Sequence, residues 1–507
     1  MAKKTAKSTP NGHAAANVDT SFDVIIIGAG VSGINAAYRL QSQLPNYSYA
    51  LIEARDNVGG TWDLFKYPGI RSDSDLFTFG FSFNPWDQNN PIAEGSSIAK
   101  YLKDTATKYG IDKHIQYSRR LKTASWSTEN RTWSLDIDHQ GTIVPYTARF
   151  IIFSTGYYNY QQPLEAKIPG IENFQGQIIH PQFWPEDLDY SGKKVVIIGS
   201  GATAITLLPN IAQKAERVTM LQRSPTYILS LPNISNSWLA YLLPSAISRK
   251  LQRISWIITT RIFYLFCQGF PRLARWIFRQ RVSRELPKHI PLDPHFQPRY
   301  NPWDQRVCIC PDGDFFKSLH TGRADVKTDT IKTVTKNGIE LNSGDSIDAD
   351  IIVTATGLQL LFAGGTEIVV DGKKVDPPSK YLWNGVMIQD IPNASYVIGY
   401  TNASWTLGAD ATALFICRLL KLMESKGASA AVPRVQPGEK LEDRPLLNLK
   451  STYVSVAPKK LPKAGNKAPW LARESYISDL MFAKYGNIDN SLEYLSGPSV
   501  KLHEKSL

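Results

Sequence analysis

The sequence predicts an α/β fold with two separate dinucleotide-binding units and a helical insertion, and three observations carry that prediction. A short apolar run at residues 23–27 leads into Gly28-Ala-Gly30-Val-Ser-Gly33 and then a helical pattern reaching Leu40. The same order returns at residues 193–198, followed by Gly199-Ser-Gly201-Ala-Thr-Ala204 and a helical pattern to about Lys214. Between Trp238 and Arg284 stand nine basic residues and no acidic one, on an apolar pattern of helical spacing. A buried parallel strand, a glycine-rich turn and a helix together make a Rossmann-like β-α-β unit. Two such units far apart imply two Rossmann-like domains, and 507 residues are too many for one core.

Residues 1–21 are polar, basic and rich in small side chains, with no apolar stretch, so they read as a disordered leader rather than a signal peptide. In the first glycine motif, Gly28 permits the tight turn, Gly30 lets backbone approach a pyrophosphate, and Gly33 lets helix and strand pack closely. The helix N-terminus then faces the phosphates. A second strand at 47–52 ends at Glu53, 20 residues after Gly33, where a carboxylate accepts from both ribose hydroxyls. A bare glycine turn without ligand is the bland alternative; strand, spacing, helix and acid together argue against it.

The second motif differs usefully. Aligning Leu51-Ile52-Glu53 with Met220-Leu221-Gln222 puts Gln222 at the acid position, followed by Arg223 and Ser224. A carboxylate there repels a 2′-phosphate, whereas an arginine pairs with it bidentately. The second unit therefore reads as an NADPH site with Arg223 as discriminator, against the plainer reading of a solvated charge after a strand. Two further apolar runs end alike, in Thr155-Gly156 and Thr356-Gly357. They suggest that the chain returns to each nucleotide unit. The expected organisation is a discontinuous first domain at 22–160 and 358–507, a second at 161–234 and 300–357, and a helical basic insertion at 235–299.

Composition bounds the function classes. Hydrophobic content of 43% with 20% charged residues is that of a globular protein. The four cysteines, Cys267, Cys308, Cys310 and Cys417, contain no Cys-x-x-Cys, which suggests reduced thiols and a cytoplasmic setting. There is no run of 18 apolar residues to span a bilayer. The net charge of +12 raises nucleic acid or an anionic membrane as partner. The apolar content of the basic stretch favours the membrane over nucleic acid.

Residues 174–185 read Phe-Gln-Gly-Gln-Ile-Ile-His-Pro-Gln-Phe-Trp-Pro and lie between the two glycine motifs. The pattern of Phe174, Gly176, His180 and Trp184-Pro185 resembles the fingerprint of the Baeyer–Villiger monooxygenases, the class B flavoprotein monooxygenases. Gly59-Gly60-Thr61-Trp62, then Tyr67-Pro68-Gly69 and Asp73, resembles that family's second pattern. Glu53-Ala-Arg55-Asp, residues 299–306 and residues 311–314 resemble its ethionamide-activating branch. The likeness runs from about Phe22 to near Leu495. It implies FAD at the first motif and NADPH at the second, with Gly60, Thr61 and Trp62 in a loop over the flavin ring. Asp73, read alone, is a helix cap before Leu76; the resemblance makes it a partner for an active-site arginine. That arginine is Arg306, which alone would read as an exposed charge. Oxygen insertion beside a carbonyl builds negative charge on oxygen, and a fixed guanidinium stabilises it. Some relatives carry a lysine just before this arginine, where this chain has Gln305. Phe174, Gly176, His180 and Trp184 are implied to couple domain movement to cofactor position, with plain linker packing as the alternative. Trp405 is implied to wall the substrate pocket, or else is a core aromatic.

In the insertion, Leu251, Ile254, Ile258, Ile262 and Leu265 share one helical stripe, with Arg249, Lys250, Arg253 and Arg261 between them and Arg272, Arg275, Arg279, Arg281 and Arg284 following. This is a lid buried against the second domain or a surface that dips into an anionic membrane through residues 238–284, and both can hold, since a membrane-facing lid would admit an apolar ketone directly. The expected activity is FAD- and NADPH-dependent insertion of one oxygen atom of O2 next to a ketone carbonyl, giving an ester or lactone, with sulfide oxidation as a side activity. The rivals are a flavin monooxygenase of amines or sulfides, and a membrane-associated NADPH-binding flavoprotein without turnover. A disulfide reductase is disfavoured, since no Cys-x4-Cys follows the first motif. The expected location is cytoplasmic, with peripheral contact on the inner face of the membrane.

Overall fold

The computed structural model describes residues 19–234, 243–447 and 459–497. Nearly all of the expected leader, and residues 235–242 of the insertion, lie outside the described residues.

An eleven-stranded sheet is built from the two ends of the chain. Its parallel centre runs Tyr49–Ile52, Ser21–Ile27, Thr142–Phe153 and Ala394–Tyr396. Ile26 stands beside Leu51 on one side and Ile152 on the other. All three are fully buried. Residues 24–27, 49–52 and 150–153 of these strands are apolar and buried because both faces of the sheet are covered there, and each large apolar side chain among them contributes roughly 1.5–3 kcal/mol by burial. Strands Arg119–Ser127 and Thr132–His139 extend the sheet antiparallel from Thr142–Phe153.

The second sheet has five strands, all parallel, in the order Ala324–Thr328, Arg217–Gln222, Lys194–Ile198, Ile351–Thr354 and Gln177–Ile179. The two runs closed by Thr-Gly are thus the strands beside each glycine motif's own strand. After Thr354 the chain rejoins the first sheet at Glu367–Val370. Helix Trp405–Ser425 then packs Ala409 and Ala413 into the core shared with Ala36, Ala37 and Leu40 of helix Val31–Gln43.

The insertion forms helices Ser245–Gly269 and Pro271–Glu285. The expected stripe does not turn inward: Leu251, Ile254, Ile258, Ile262 and Leu265 are all exposed. The opposite face is the packed one, with Ser248, Arg253 and Cys267 buried. Arg253 is the anchor. Its Nη1 donates to the carbonyls of Phe77, Thr78 and Gly80, which are acceptors left over at the C-terminal end of helix Leu76–Phe79. A guanidinium therefore holds the long helix down, and the apolar stripe is left facing out.

Candidate active site

The first glycine turn is fixed by close approach. Gly28 has φ +104°, and a Cβ there would stand 2.8 Å from the Ser154 carbonyl oxygen. A Cβ on Gly33 would lie 1.9 Å from the Gly28 oxygen, so helix and turn meet with no room for a side chain. Glu53 closes the turn from below. Its Oε2 accepts from the Ala29 amide at 2.7 Å and its Oε1 from the Arg55 amide at 2.9 Å. Burial raises this carboxyl above its ordinary value, and the two amide donors oppose that rise. Gly30 and Gly60 face one another across a gap, since a Cβ on Gly30 would be 3.7 Å from the Gly60 Cα. Thr61 Oγ1 is hydrogen-bonded to the hydroxyls of Tyr158 and Tyr160. Trp62 packs edge-on to Phe79, with ring centroids 5.6 Å apart. A cradle of bare backbone at a helix N-terminus, with a buried carboxylate at the next strand's end, fits a flavin dinucleotide.

The second turn repeats the geometry more openly. Gly199 has φ +140° and backs onto the Ala355 oxygen, 2.2 Å from where a Cβ would be. Gly201 has nothing within 4 Å of its Cβ position. Ala204 is buried in the helix that follows. Gln222, at the acid position, is turned inward: its Nε2 donates to the His295 carbonyl at 2.7 Å and to Thr328 Oγ1 at 2.9 Å. Arg223 and Ser224 are exposed, and Ser200 Oγ donates to the Ser224 carbonyl at 3.0 Å. The glycine turn and the arginine therefore border one surface, with no carboxylate at the acid position. These residues fit a phosphorylated nicotinamide dinucleotide.

Between the two units lies a cavity of about 200 Å3. Gly30, Gly60, Thr61 and Trp62 line one side, and Asp73, Arg306 and Trp405 reach it from others. Arg306 Nη1 is 3.5 Å from Asp73 Oδ2. Arg306 sits just before strand Cys308–Pro311, and Asp73 just before helix Leu76–Phe79. The helix cap that the sequence suggested for Asp73 is instead Asp75, whose carboxylate accepts from the Thr78 amide at 2.8 Å; Asp73 is thereby free to face the cavity. Trp405 is the first residue of helix Trp405–Ser425. Its Nε1 donates to Ser32 Oγ at 2.9 Å, and its ring stacks on Tyr157 at 5.2 Å.

The 174–185 segment wraps the edge of the second sheet. Phe174 is buried under that sheet with Val196 and Ile352. A Cβ on Gly176 would be 2.3 Å from the Asp350 oxygen, so only glycine lets strand Gln177–Ile179 pair with Ile351–Thr354. His180 Nδ1 accepts from the Gln182 amide at 3.2 Å. Its Nε2 is buried without a hydrogen bond of good geometry, and burial pushes the imidazole below its ordinary pKa. Trp184 is buried, edge-on to Tyr190 at 6.4 Å. None of the four lines the cavity that holds Arg306 and Asp73.

Sequence reasoning missed two features. Arg71 forms a bidentate ion pair with Asp314, so residues 71–73 are tied to residues 306–314 by two ion pairs of opposite sense. A separation of 243 residues leaves no local signal for it. Tyr157, Tyr158 and Tyr160 also line the cavity; their position just after the first Thr-Gly strand end was a usable clue.

The chain belongs to the flavin-binding monooxygenase-like family, which it matches over residues 22–377. It is 45% identical over 476 residues to the FAD-containing monooxygenase EthA of Mycobacterium tuberculosis, covering 92% of this chain and 96% of that protein. It is 44% identical over 479 residues to the probable FAD-binding monooxygenase AlmA of Acinetobacter baylyi, covering 94% and 96%. Among solved structures it superimposes on an oxidized steroid monooxygenase bound to NADP with TM-score 0.73 at 20% identity, covering 94% of this chain and all of the other. An open form of cyclohexanone monooxygenase gives 0.71 at 19%, with 94% and 100% covered. At these identities the likeness to the solved structures is one of fold.

Proposed function

We propose that this protein is an FAD- and NADPH-dependent Baeyer–Villiger monooxygenase that converts a ketone to an ester or lactone. The observation that carries the reading is the Arg306–Asp73 pair, 3.5 Å apart, in a cavity walled by the first glycine turn. Gly28, Gly30, Gly33 and Glu53 hold FAD, with Gly60, Thr61 and Trp62 beside its ring; Gly199, Gly201, Ala204, Arg223 and Ser224 hold NADPH. When bound, FAD reduced by NADPH would supply the two electrons and the oxygen activation by which one atom of O2 is placed beside the carbonyl and the other is released as water.

The chain's own part is electrostatic and positional. Arg306 supplies a fixed cation where negative charge develops on oxygen. Asp73 orients that guanidinium and keeps it aimed into the cavity. Trp405, held by Ser32 and Tyr157, walls the space left for substrate. The linker from Phe174 to Trp184 carries cofactor-dependent movement between the two units rather than a proton, since it lies outside the cavity. The names of the relatives, FAD-containing monooxygenase and FAD-binding monooxygenase, fit this reading at the level of the cofactor.

The insertion belongs to the same proposal as a peripheral contact with an anionic membrane. No described helix is long and apolar enough to cross a bilayer, and a surface contact does not require one. The decisive experiment is a substrate panel. Purified protein, NADPH and linear, cyclic and aryl ketones should yield esters or lactones identified by mass. Amine or sulfide products with every ketone untouched would replace the reading with that of a heteroatom-oxidising flavin monooxygenase.

A further inference from the structure

We infer that apolar substrate dissolved in the lipid reaches the cavity through a groove between the first insertion helix and the C-terminal helix Tyr476–Tyr485. The inference rests on the ketone-oxidising reading above and adds the route and the substrate class.

Ile247, Leu251, Ile254, Ile258, Ile262 and Leu265 form one row along Ser245–Gly269, each between 39% and 60% exposed. The row continues over the turn with Phe270, Leu273 and Trp276, which are 46% to 62% exposed. A monomeric protein does not leave such a row in water without a use for it. Lys250, Arg272, Arg275, Arg279, Arg281 and Arg284 are exposed on the same two helices, and residues 238–284 contain no acid to offset them. Apolar side chains interleaved with arginines fit the headgroup boundary of an anionic leaflet: the rings and aliphatic chains enter the acyl region while the guanidinium groups stay among phosphates. A second copy of this chain would bring the same uncompensated positive charge against itself.

The groove opens from that row. Ile257, Thr260 and Arg261 form one wall and Tyr476 and Ile477 the other, with Asn402 and Ser404 at the floor. Ile477, Met481 and Tyr485 are 50% to 72% exposed and extend the apolar surface across the groove mouth. Inward, the groove shares Asn402 and Glu474 with a second small cavity. That cavity in turn shares Gly399, Thr401 and Leu447 with the one holding Arg306. From the outer face to the guanidinium, each cavity thus shares wall residues with the next. The two outer cavities measure only about 30 Å3 each, enough for water and too small for a ketone. The constriction is a carbonyl clasped from both sides: Arg261 Nη1 donates to the Glu474 oxygen at 3.2 Å and Asn402 Nδ2 donates to it at 3.1 Å. Arg261 stands within the row that would meet phosphate headgroups. A phosphate drawing its guanidinium outward removes one of the two bonds and opens the throat.

The test combines flotation with turnover, using the full chain with its cofactors. The parent protein should float with vesicles of phosphatidylglycerol and phosphatidylcholine, more at low salt than at high. Ile258→Asp with Ile262→Asp, both at exposed positions, should abolish flotation while retaining flavin. Thr260→Trp, which fills the groove, should still float. It should slow oxidation of a long-chain ketone supplied in the vesicles at least tenfold, yet change turnover of a short water-soluble ketone less than about twofold. Arg261→Ala should raise turnover of the vesicle-borne ketone. If Thr260→Trp slows both ketones equally, or neither, the route is wrong. If the parent fails to float, the inference falls, and an Asp pair that then turns a dimer into a monomer assigns the row to a second copy. If the parent floats but oxidises no ketone of either kind, the functional reading fails with its route while the membrane contact stands.

Discussion

Replacing Arg306 with alanine separates chemistry from folding, and the structure sets the size of each effect. The Arg306 and Asp73 side chains keep 36% and 30% of their surface exposed, at a separation of 3.5 Å. Coulomb's law at that distance gives about 1 kcal/mol in a water-like medium and about 5 kcal/mol at an effective dielectric of 20. With a third of each group in solvent, the lower value applies, so the pair adds at most about 1 kcal/mol to stability. Melting should therefore move by no more than a few degrees, and both glycine turns should remain intact. Oxygen insertion is different, because bound cofactor and substrate displace water from the cavity and Arg306 is the one cation among the described residues that line it. Losing such a partner costs roughly a hundredfold to a thousandfold in rate. The assay runs ester formation, NADPH consumption and flavin content side by side. Arg306→Ala should retain flavin and consume NADPH with release of hydrogen peroxide, while ester falls at least a hundredfold. Arg306→Lys should recover only part of the loss, since it keeps the charge without the planar fork. Asp73→Ala should resemble Arg306→Ala more mildly. Ester formation by Arg306→Ala at the parent rate would show that Arg306 is not the stabilising cation.

The glycine turns should respond in opposite ways. Gly33→Ala forces a Cβ to 1.9 Å from the Gly28 oxygen, so it should give protein without flavin or none that folds, read from the visible spectrum. Gly201→Ala meets nothing within 4 Å and should fold with full flavin while binding NADPH more weakly, by titration, because the second glycine of such a turn is the one whose bare backbone approaches a pyrophosphate. Arg223→Ala should narrow the preference for NADPH over NADH about tenfold to a hundredfold, the loss expected for a charge-assisted bond; equal use of both coenzymes by the parent would refute that role. His180 is held below its ordinary value of 6.5 by burial. The folded state then binds fewer protons than the unfolded state, so its stability is complete above that value and is lost as pH falls below it. His180→Asn should flatten the melting temperature in this acidic window, and identical pH profiles for parent and variant would contradict it.

The sheets were legible because their signals are local. The run into Gly28 and the run into Gly199 each put an apolar strand, a turn and a helix in adjacent residues, and the structure has them as parallel strands and helices Val31–Gln43 and Ala202–Ile211. The paired Thr-Gly endings fall on the strands beside each glycine motif's own strand, one in each sheet. The capping position was off by two residues, Asp75 for Asp73, because both aspartates precede the same short helix and only backbone geometry decides between them. The direction of the insertion stripe was not legible: amphipathic spacing says that one face differs from the other, not which one meets the protein. Arg253 decides it, through carbonyls more than 170 residues away in sequence. The Arg71–Asp314 pair was invisible for the same reason.

Baeyer–Villiger oxidation places one atom of O2 between a carbonyl carbon and its neighbour. Turnover of a simple ketone with NADPH under heavy-isotope oxygen gas, followed by mass spectrometry of the product, tests it directly. The expected product is an ester or lactone carrying one heavy oxygen at the ring or bridging position, formed in step with NADPH consumption and lost in Arg306→Ala. Unchanged ketone from the parent protein, with the label found only in sulfoxide, amine oxide or hydrogen peroxide, would contradict it.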